Sequence, residues 1–261
     1  MKTNRSDTIE AAYRRLQSLP PGIKQPLKDA RRWLESRLYA GEGYACPICG
    51  RAWRSFAPAG TRLGMKIKCA HCLSTRRHRF LYAYLLKEWA HLFPEADKRL
   101  LHIAPQPEIG ARLRERLGGG YVSGDLFREA VGVRLDICAP PLHAGVFDGI
   151  VCSHVLEHVE EDGKALRAFW RVLKPGGWAM LLVPIQAGPT FEDARITDAA
   201  GRRRYFGQHN HVRFYGEDFA ARVEAQGFRV REVQSEAAFT DEEIRRWGIE
   251  EQALFLCTKV G

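Results

Sequence analysis

Four of the seven cysteines fall in two short pairs, Cys46-Pro47-Ile48-Cys49-Gly50 and Cys69-Ala70-His71-Cys72, with 19 residues between Cys49 and Cys69. Each C-x-x-C turn can present two thiolates and nearby backbone N–H groups to one ion. Two such turns complete the tetrahedral sulfur site that Zn2+ favours, with no position left for water, so the expected role of Cys46, Cys49, Cys69 and Cys72 is structural. An iron–sulfur cluster is the alternative that the same spacing permits. An odd cysteine count and a start, Met1-Lys2-Thr3-Asn4-Arg5-Ser6-Asp7, without an apolar export segment argue against a disulfide framework and point to the cytoplasm. Trp53, Phe56 and Ile67 lie between the pairs and are expected to pack a ribbon of two or three strands whose core is too small to hold without the metal.

A second group of reactive residues follows an apolar run: Phe147-Asp148-Gly149-Ile150-Val151-Cys152-Ser153-His154-Val155-Leu156-Glu157-His158. Then come a charged segment of helical period, Leu173-Lys174-Pro175-Gly176-Gly177, and a second apolar run, Ala179-Met180-Leu181-Leu182-Val183-Pro184. Strand, helix, Pro-Gly-Gly stop and strand make a crossover unit that favours parallel strands. This stretch resembles the second half of the class I S-adenosylmethionine-dependent methyltransferases of the type 11 kind. There, a strand of FD-x-(I/V)-(V/I) form precedes a Val-Leu-Glu-His helix, and L-K-P-G-G precedes the next strand.

The resemblance covers roughly residues 98–260. It implies an α/β fold, a Rossmann-like seven-stranded methyltransferase sheet with its last strand antiparallel, preceded by an N-terminal helical segment and a small zinc ribbon. In such sheets the ligand lies beyond the carboxyl ends of the strands at the topological switch point, and the resemblance assigns S-adenosylmethionine to the loops after the first, second and fourth strands. The first loop departs from the family pattern of an acidic residue before G-x-G-x-G, reading His102-Ile103-Ala104-Pro105-Gln106-Pro107-Glu108-Ile109-Gly110. Ala104 is small enough for close approach, Glu108 offers a carboxylate for the cofactor ammonium, and His102 stands where the family carries its acidic residue. Asp125 matches the residue that accepts the ribose hydroxyls, with Leu126 beside it. Asp136 matches the residue that accepts the adenine amino group, with Ile137 packing on the ring. Ser153 is counted with the cofactor loops.

His154 follows the fourth strand, where the resemblance places donor and acceptor, and titrates in the range useful to a general base. Glu157 and His158 lie three and four positions later, on one helical face, and in the family this pair supports the loop. Residues 185–215 form a long excursion after the fifth strand, rich in Arg, His and aromatic residues. From it His209 and His211 are catalytic candidates, and Arg213 and Tyr215 acceptor-binding candidates.

The elements that must position these groups read as follows. A helix is expected over 7–18, and a second from Pro26 with Leu27, Ala30, Leu34 and Leu38 on one face, stopped by Gly41-Glu42-Gly43. A third helix runs from Ser74 to about His91. Strands are expected at 99–104, 121–125, 131–136, 228–233 and 253–257 and helices through 109–117, near 216–226 and near 240–247. The expected domains are 1–43 for the N-terminal helices, 44–73 for the ribbon and 74–261 for the methyltransferase domain, with 74–93 as its linking helix.

The net charge of +9 is uneven: residues 1–90 carry 18 Lys and Arg against 6 Asp and Glu, whereas 91–261 carry 22 against 25. A basic N-terminal third attracts phosphate-bearing or acidic partners. Arg76, Arg77, His78 and Arg79 in one first helical turn oppose the helix dipole and point to an anion. Some ribosomal-RNA methyltransferases also join a four-cysteine zinc module to this fold. The Asn/Asp-Pro-Pro-aromatic signature for base amines is absent, however, with Cys152-Ser153-His154-Val155 in its place. A small-molecule or glycan acceptor is therefore preferred to RNA. A non-catalytic zinc-bearing adaptor on a degenerate fold is the remaining class. No apolar run approaches the roughly 18 residues of a membrane span.

Overall fold

The computed structural model describes residues 20–58, 65–95, 97–250 and 252–261; the helix expected over 7–18 lies outside them. The chain divides into two compact units, Met1–Ala83 with Phe239–Glu250, and Tyr84–Ala238 with Glu251–Gly261. The division falls inside the helix Arg76–Lys87 rather than at residue 74, and it gives the helix Asp241–Trp247 to the N-terminal unit.

In the N-terminal unit the helix Pro21–Leu38 starts five residues before the expected Pro26. Pro21 takes the tolerated first position, and Pro26 sits inside at the cost of one ladder hydrogen bond. Its Leu27, Leu34 and Leu38 are exposed, so the apolar spacing does not correspond to a buried face among the described residues. Gly41-Glu42-Gly43 is not the stop; these residues belong to β1 (Ala40–Ala45), which pairs antiparallel with β2 (Ala52–Trp53). β3 (Ala57–Pro58) pairs with β4 (Lys66–Lys68). Trp53 and Phe56 are buried, as the ribbon reading required, and Ile67 is half-buried.

The second unit is a mixed α/β domain. Its strands are β5 (Leu100–Ile103), β6 (Tyr121–Asp125), β7 (Val133–Arg134), β8 (Phe147–Ser153), β9 (Leu173–Leu182), β12 (Phe228–Gln234) and β13 (Ala253–Lys259), in the order β12-β13-β9-β8-β5-β6-β7. β13 is antiparallel to both neighbours, while β5, β6, β7, β8 and β9 are mutually parallel. Every residue of β5 and β8 is buried, as parallel strands covered on both faces require. The chain runs outward from β5 through β6 to β7, then returns to the other side of β5 as β8. The carboxyl ends of β5 and β8 therefore flank the switch point.

Two motif residues serve the opposite end of the sheet. Asp148 accepts from the backbone N–H of Arg99 at 2.8 Å and from Lys174 Nζ at 2.8 Å. Pairing jumps from Phe147↔Leu173 to Gly149↔Trp178, so Lys174-Pro175-Gly176-Gly177 bulges out of β9 instead of preceding it. Gly176 supplies the positive φ of 71° that this bulge needs. Gly149 leaves room for the Trp178 ring, which a Cβ at that position would approach to 2.4 Å.

The excursion after β9 has its own structure: β10 (Phe191–Glu192) pairs with β11 (Arg213–Phe214), and between them the helix Ala199–Phe206 is capped by the Asp198 carboxylate. Buried Asp162 accepts from Tyr215 Oη at 2.7 Å and from Arg222 Nε and Nη2 at 2.7 and 2.8 Å, while Glu192 accepts from Arg213 Nε at 2.7 Å. This network fastens the excursion to the helix Asp162–Val172.

Candidate active site and thiolate cluster

The four cysteines meet. Cys46 Sγ lies 3.6 Å from Cys72 Sγ, Cys49 Sγ lies 3.7 Å from Cys69 Sγ, and all four sulfurs are within 4.8 Å of one another. A tetrahedron with Zn–S bonds of about 2.3 Å has S···S edges of ~3.8 Å, so these two sulfur pairs stand at the spacing a zinc ion imposes. Each turn closes through a backbone bond, Gly50 N–H to Cys46 O at 2.8 Å and Leu73 N–H to Cys69 O at 3.0 Å. Gly50 and Leu73 both have positive φ, 72° and 67°.

Arg79 stands behind the cluster, fully buried. It donates through Nη1 to Ile67 O and Ser74 O, both at 3.0 Å, through Nε to Trp247 O and through Nη2 to Gly248 O at 2.8 Å. Its guanidinium lies 3.8 Å from the centroid of the Phe56 ring. Burial pushes it down to about 10, against the opposing pull of Cys46, Cys69 and Cys72. Arg79 is thus committed to the fold, and Arg76 is paired with Glu250. The basic first turn is not the open anion site that its sequence implied.

At the carboxyl end of β5, Ala104 has φ 44°, a left-handed conformation rare for a residue with a side chain, and its N–H donates to Gly124 O at 2.8 Å. His102 is corrected from cofactor contact to core: its Nδ1 lies 3.1 Å from Tyr121 Oη and its Nε2 3.2 Å from Gln106 Oε1. Gly110 makes this possible, because a Cβ there would meet Tyr121 Oη at 2.7 Å. A His–Gln–Tyr network thus holds a loop that the family builds from glycine. Glu108 is half-buried in the first turn of the helix Pro107–Leu117.

Asp125 ends β6. Its Oδ1 accepts from the N–H groups of Phe127 and Arg128 at 2.8 and 3.0 Å, and its Oδ2 lies 3.7 Å from Arg128 Nε. Arg128 Nη1 donates to Pro105 O at 2.8 Å and so ties this loop to the one after β5. Leu126 and Phe127 are exposed beside it. Asp136 is exposed and accepts from Cys138 N–H at 2.8 Å; Ile137 is buried.

At the end of β8, Ser153 is 4% exposed and its Oγ has no hydrogen-bond partner among the described residues. His154 follows with φ 55°, held by its N–H to Leu182 O at 2.8 Å. Its Nδ1 lies 3.0 Å from Oε1 of Glu157, a carboxylate only 1% exposed. A carboxylate only accepts, so His154 carries its proton on Nδ1 when neutral and keeps a lone pair on Nε2. His211 packs against His158 with ring centroids 4.6 Å apart. Burial, with His158 nearby, holds its imidazole below the ordinary value.

The other excursion residues divide. His209 is exposed. Arg213 is buried, donating to Leu156 O, Val159 O and Glu160 O as well as to Glu192. Tyr215 is fully buried on Asp162. Tyr215 is therefore corrected from an acceptor-binding residue to a support of the loop after β8, while Arg213 supports the same loop and also lines the cavity of the excursion. A cavity of about 460 Å3 opens in the excursion between Glu160, Glu192, Asp193, Arg202 and Arg222. None of the expected cofactor residues lines it. Gln106, Arg128, Asp162 and Arg222 were not singled out in the sequence, because each acts through a partner brought near only by the fold.

Residues 86–181, from the linking helix into β9, match the family described as a methyltransferase domain. Strand order and one antiparallel strand give the second unit a mixed α/β, Rossmann-like seven-stranded sheet, consistent with a methyltransferase fold. Among characterised proteins, the ubiquinone biosynthesis O-methyltransferase of Albidiferax ferrireducens is 31% identical over 109 residues, covering 35% of this chain and 43% of that protein. The chain thus spans less than half the length of that relative. Similar solved structures include the YcgJ protein of Bacillus subtilis, at 16% identity over 69% of this chain and 99% of that chain, TM-score 0.44. Another is a Burkholderia thailandensis 1,6-didemethyltoxoflavin-N1-methyltransferase, solved with 1,6-didemethyltoxoflavin and S-adenosylhomocysteine, at 15% identity over 70% and 79% of the two chains, TM-score 0.47. Among the described residues no helix is long and apolar enough to cross a membrane.

Proposed function

We propose that the α/β unit binds S-adenosylmethionine beyond the ends of β5, β6 and β8 and transfers its methyl group to a hydroxyl of a small-molecule acceptor, and that the four cysteines hold a structural zinc ion. The observation that carries the methyl-transfer reading is the convergence at the switch point of two left-handed residues, Ala104 and His154, with the buried, unpartnered Ser153 Oγ. Strained backbone at the ends of two adjacent strands, beside an orphaned polar atom, marks a place prepared for a ligand. The residues present fit the cofactor: Ala104 allows close backbone approach, Asp125 Oδ2 is the acceptor left for a ribose hydroxyl, and Ile137 is an apolar neighbour for a base. Asp136 and Glu108 complete the polar set.

The cofactor supplies an electrophilic methyl group on sulfonium sulfur. The chain's own part is positioning and proton removal. Glu157 fixes His154 as the Nδ1–H tautomer, leaving Nε2 to take the proton of an acceptor hydroxyl, and the Glu157 carboxylate then stabilises the imidazolium. His211 is a candidate for the acceptor side. The reading of a small-molecule acceptor is supported by the named activity of the Albidiferax relative. An RNA acceptor is disfavoured by the commitment of Arg79 and Arg76 to internal partners. Native mass spectrometry and calorimetry with S-adenosylhomocysteine test the proposal: one equivalent should bind, and absence of binding to a metal-replete protein would overturn it.

A further inference from the structure

We propose that Glu157, His158 and His211 form a second metal site, which takes one divalent first-row transition ion and is separate from the thiolate cluster. Their ligand atoms, a carboxylate oxygen and two imidazole nitrogens, lie within 4.8 Å of one another. Their hydrogen bonds already prepare them as ligands. His158 Nδ1 lies 3.1 Å from Asn210 O, and His211 Nδ1 lies 3.1 Å from Phe206 O. A carbonyl oxygen only accepts, so both rings carry their proton on Nδ1 and keep the Nε2 lone pair. A backbone carbonyl on the far nitrogen is the arrangement that orients metal-bound histidines and raises their basicity.

The independent observation concerns Glu157. Its Oε1 is taken by His154, while Oε2 is buried and has no hydrogen-bond partner among the described residues. A buried carboxylate oxygen left unpaired is destabilising, a penalty that a cation at this oxygen removes. The three ligands are also stitched together by backbone. Val212 N–H donates to Glu157 O at 2.9 Å, and Arg213 Nη1 donates to Leu156 O at 3.2 Å, so His211 is held against the turn Leu156–His158. Ligands about 2.1 Å from one ion stand roughly 3–3.4 Å apart, so binding closes the set by up to about 1.8 Å.

Two imidazoles and one carboxylate select zinc, iron(II), cobalt or manganese over calcium and magnesium, which prefer all-oxygen sites. Three protein ligands leave positions open to water or to an acceptor oxygen. The expectation that the ion engages the acceptor rests on the methyl-transfer reading; the ion site itself does not.

The test titrates Co2+ into the full chain with its cysteine site already loaded with zinc, followed by calorimetry and visible absorption. One further equivalent should bind, with weak d–d bands and no thiolate-to-cobalt charge transfer. Glu157→Gln and His158→Ala should each lower that affinity by at least about tenfold, with the zinc content of the cysteine site unchanged. Circular dichroism of both variants controls for folding, and His158, half-exposed, is the safer of the two. No additional equivalent, or a second equivalent indifferent to both variants, overturns the proposal. S-adenosylhomocysteine affinity is measured on the same samples. Cofactor binding without a second metal defeats only this inference, and metal binding without cofactor defeats only the methyl-transfer reading.

Discussion

His154 pays for its position with a left-handed backbone, and the reward is an imidazole whose tautomer is set by a buried carboxylate. In the proposed reaction, replacing it with Gln removes the group that takes the acceptor proton while the cofactor loops should stay intact. The rate of methyl transfer should fall by about 10^2–10^4 while affinity for S-adenosylhomocysteine stays within about twofold. A matching loss of cofactor affinity would place His154 in binding instead. Asp125→Asn separates two duties of one carboxylate. The amide oxygen can still accept from Phe127 and Arg128, so the loop survives, but the second oxygen, the proposed acceptor for the ribose, is lost. Cofactor affinity should weaken by about 2 kcal/mol, roughly thirtyfold, without loss of thermal stability. The cysteine pairs and the strand ends, with Asp125 as the last residue of β6, were legible in position because each is set by short spacing or by where a strand stops. His102 was misread because its partners, Tyr121 on the next strand and Gln106 across the turn, are chosen by sheet register and by the space that Gly110 leaves.

Whole elements show the same division. Strands and helices of the α/β unit were readable from periodicity and turn signals, since fully buried parallel strands are mostly apolar, with only His102 in β5 and Asp148 and Ser153 in β8 as exceptions. The excursion of residues 185–215 was not readable, because its aromatic and basic residues look alike whether they face a ligand or a buried carboxylate. Asp162 decides the matter for Tyr215, which it holds together with Arg222 of the following helix. Burial pushes its carboxyl up, but the hydrogen bonds from Arg222 and Tyr215 and the nearby Arg213 and Arg222 charges outweigh this and leave it below the ordinary value of 3.8. The native state therefore binds this proton less readily than the unfolded chain. The resulting stability is fully present above about pH 5 and is lost as pH falls through 3.8 toward the lower folded value. Asp162→Asn leaves Arg222 without its buried partner and should destabilise the unit by about 3 kcal/mol at neutral pH. It should also flatten the acid limb of a plot of denaturant midpoint against pH; an unchanged limb would assign the acid sensitivity elsewhere.

At the scale of the whole chain, the excess positive charge belongs to the N-terminal third, yet two of the arginines that gave it a binding look are spent internally, Arg79 on four carbonyls and Arg76 on Glu250. If the four thiolates hold the proposed zinc ion, its removal should loosen that unit. With a strong chelator, hydrogen exchange should accelerate throughout 40–58, 65–83 and 239–250 while β5, β8 and β9 remain protected. Equal loss of protection in both units would show that the sheet too depends on the ion. The sequence did not disclose that residues 239–250 join this unit, because nothing local in a capped helix states which core it serves. That membership has a consequence for how the protein is made. Arg79 finds two of its carbonyls at Trp247 and Gly248, and the first of these lies 168 residues downstream. At 5–20 residues per second the ribosome needs roughly 10–30 s to cover that distance. The four thiols thus leave the exit tunnel long before the carbonyls that hold Arg79 behind them exist, and the unit they belong to closes only after most of the α/β sheet has been made.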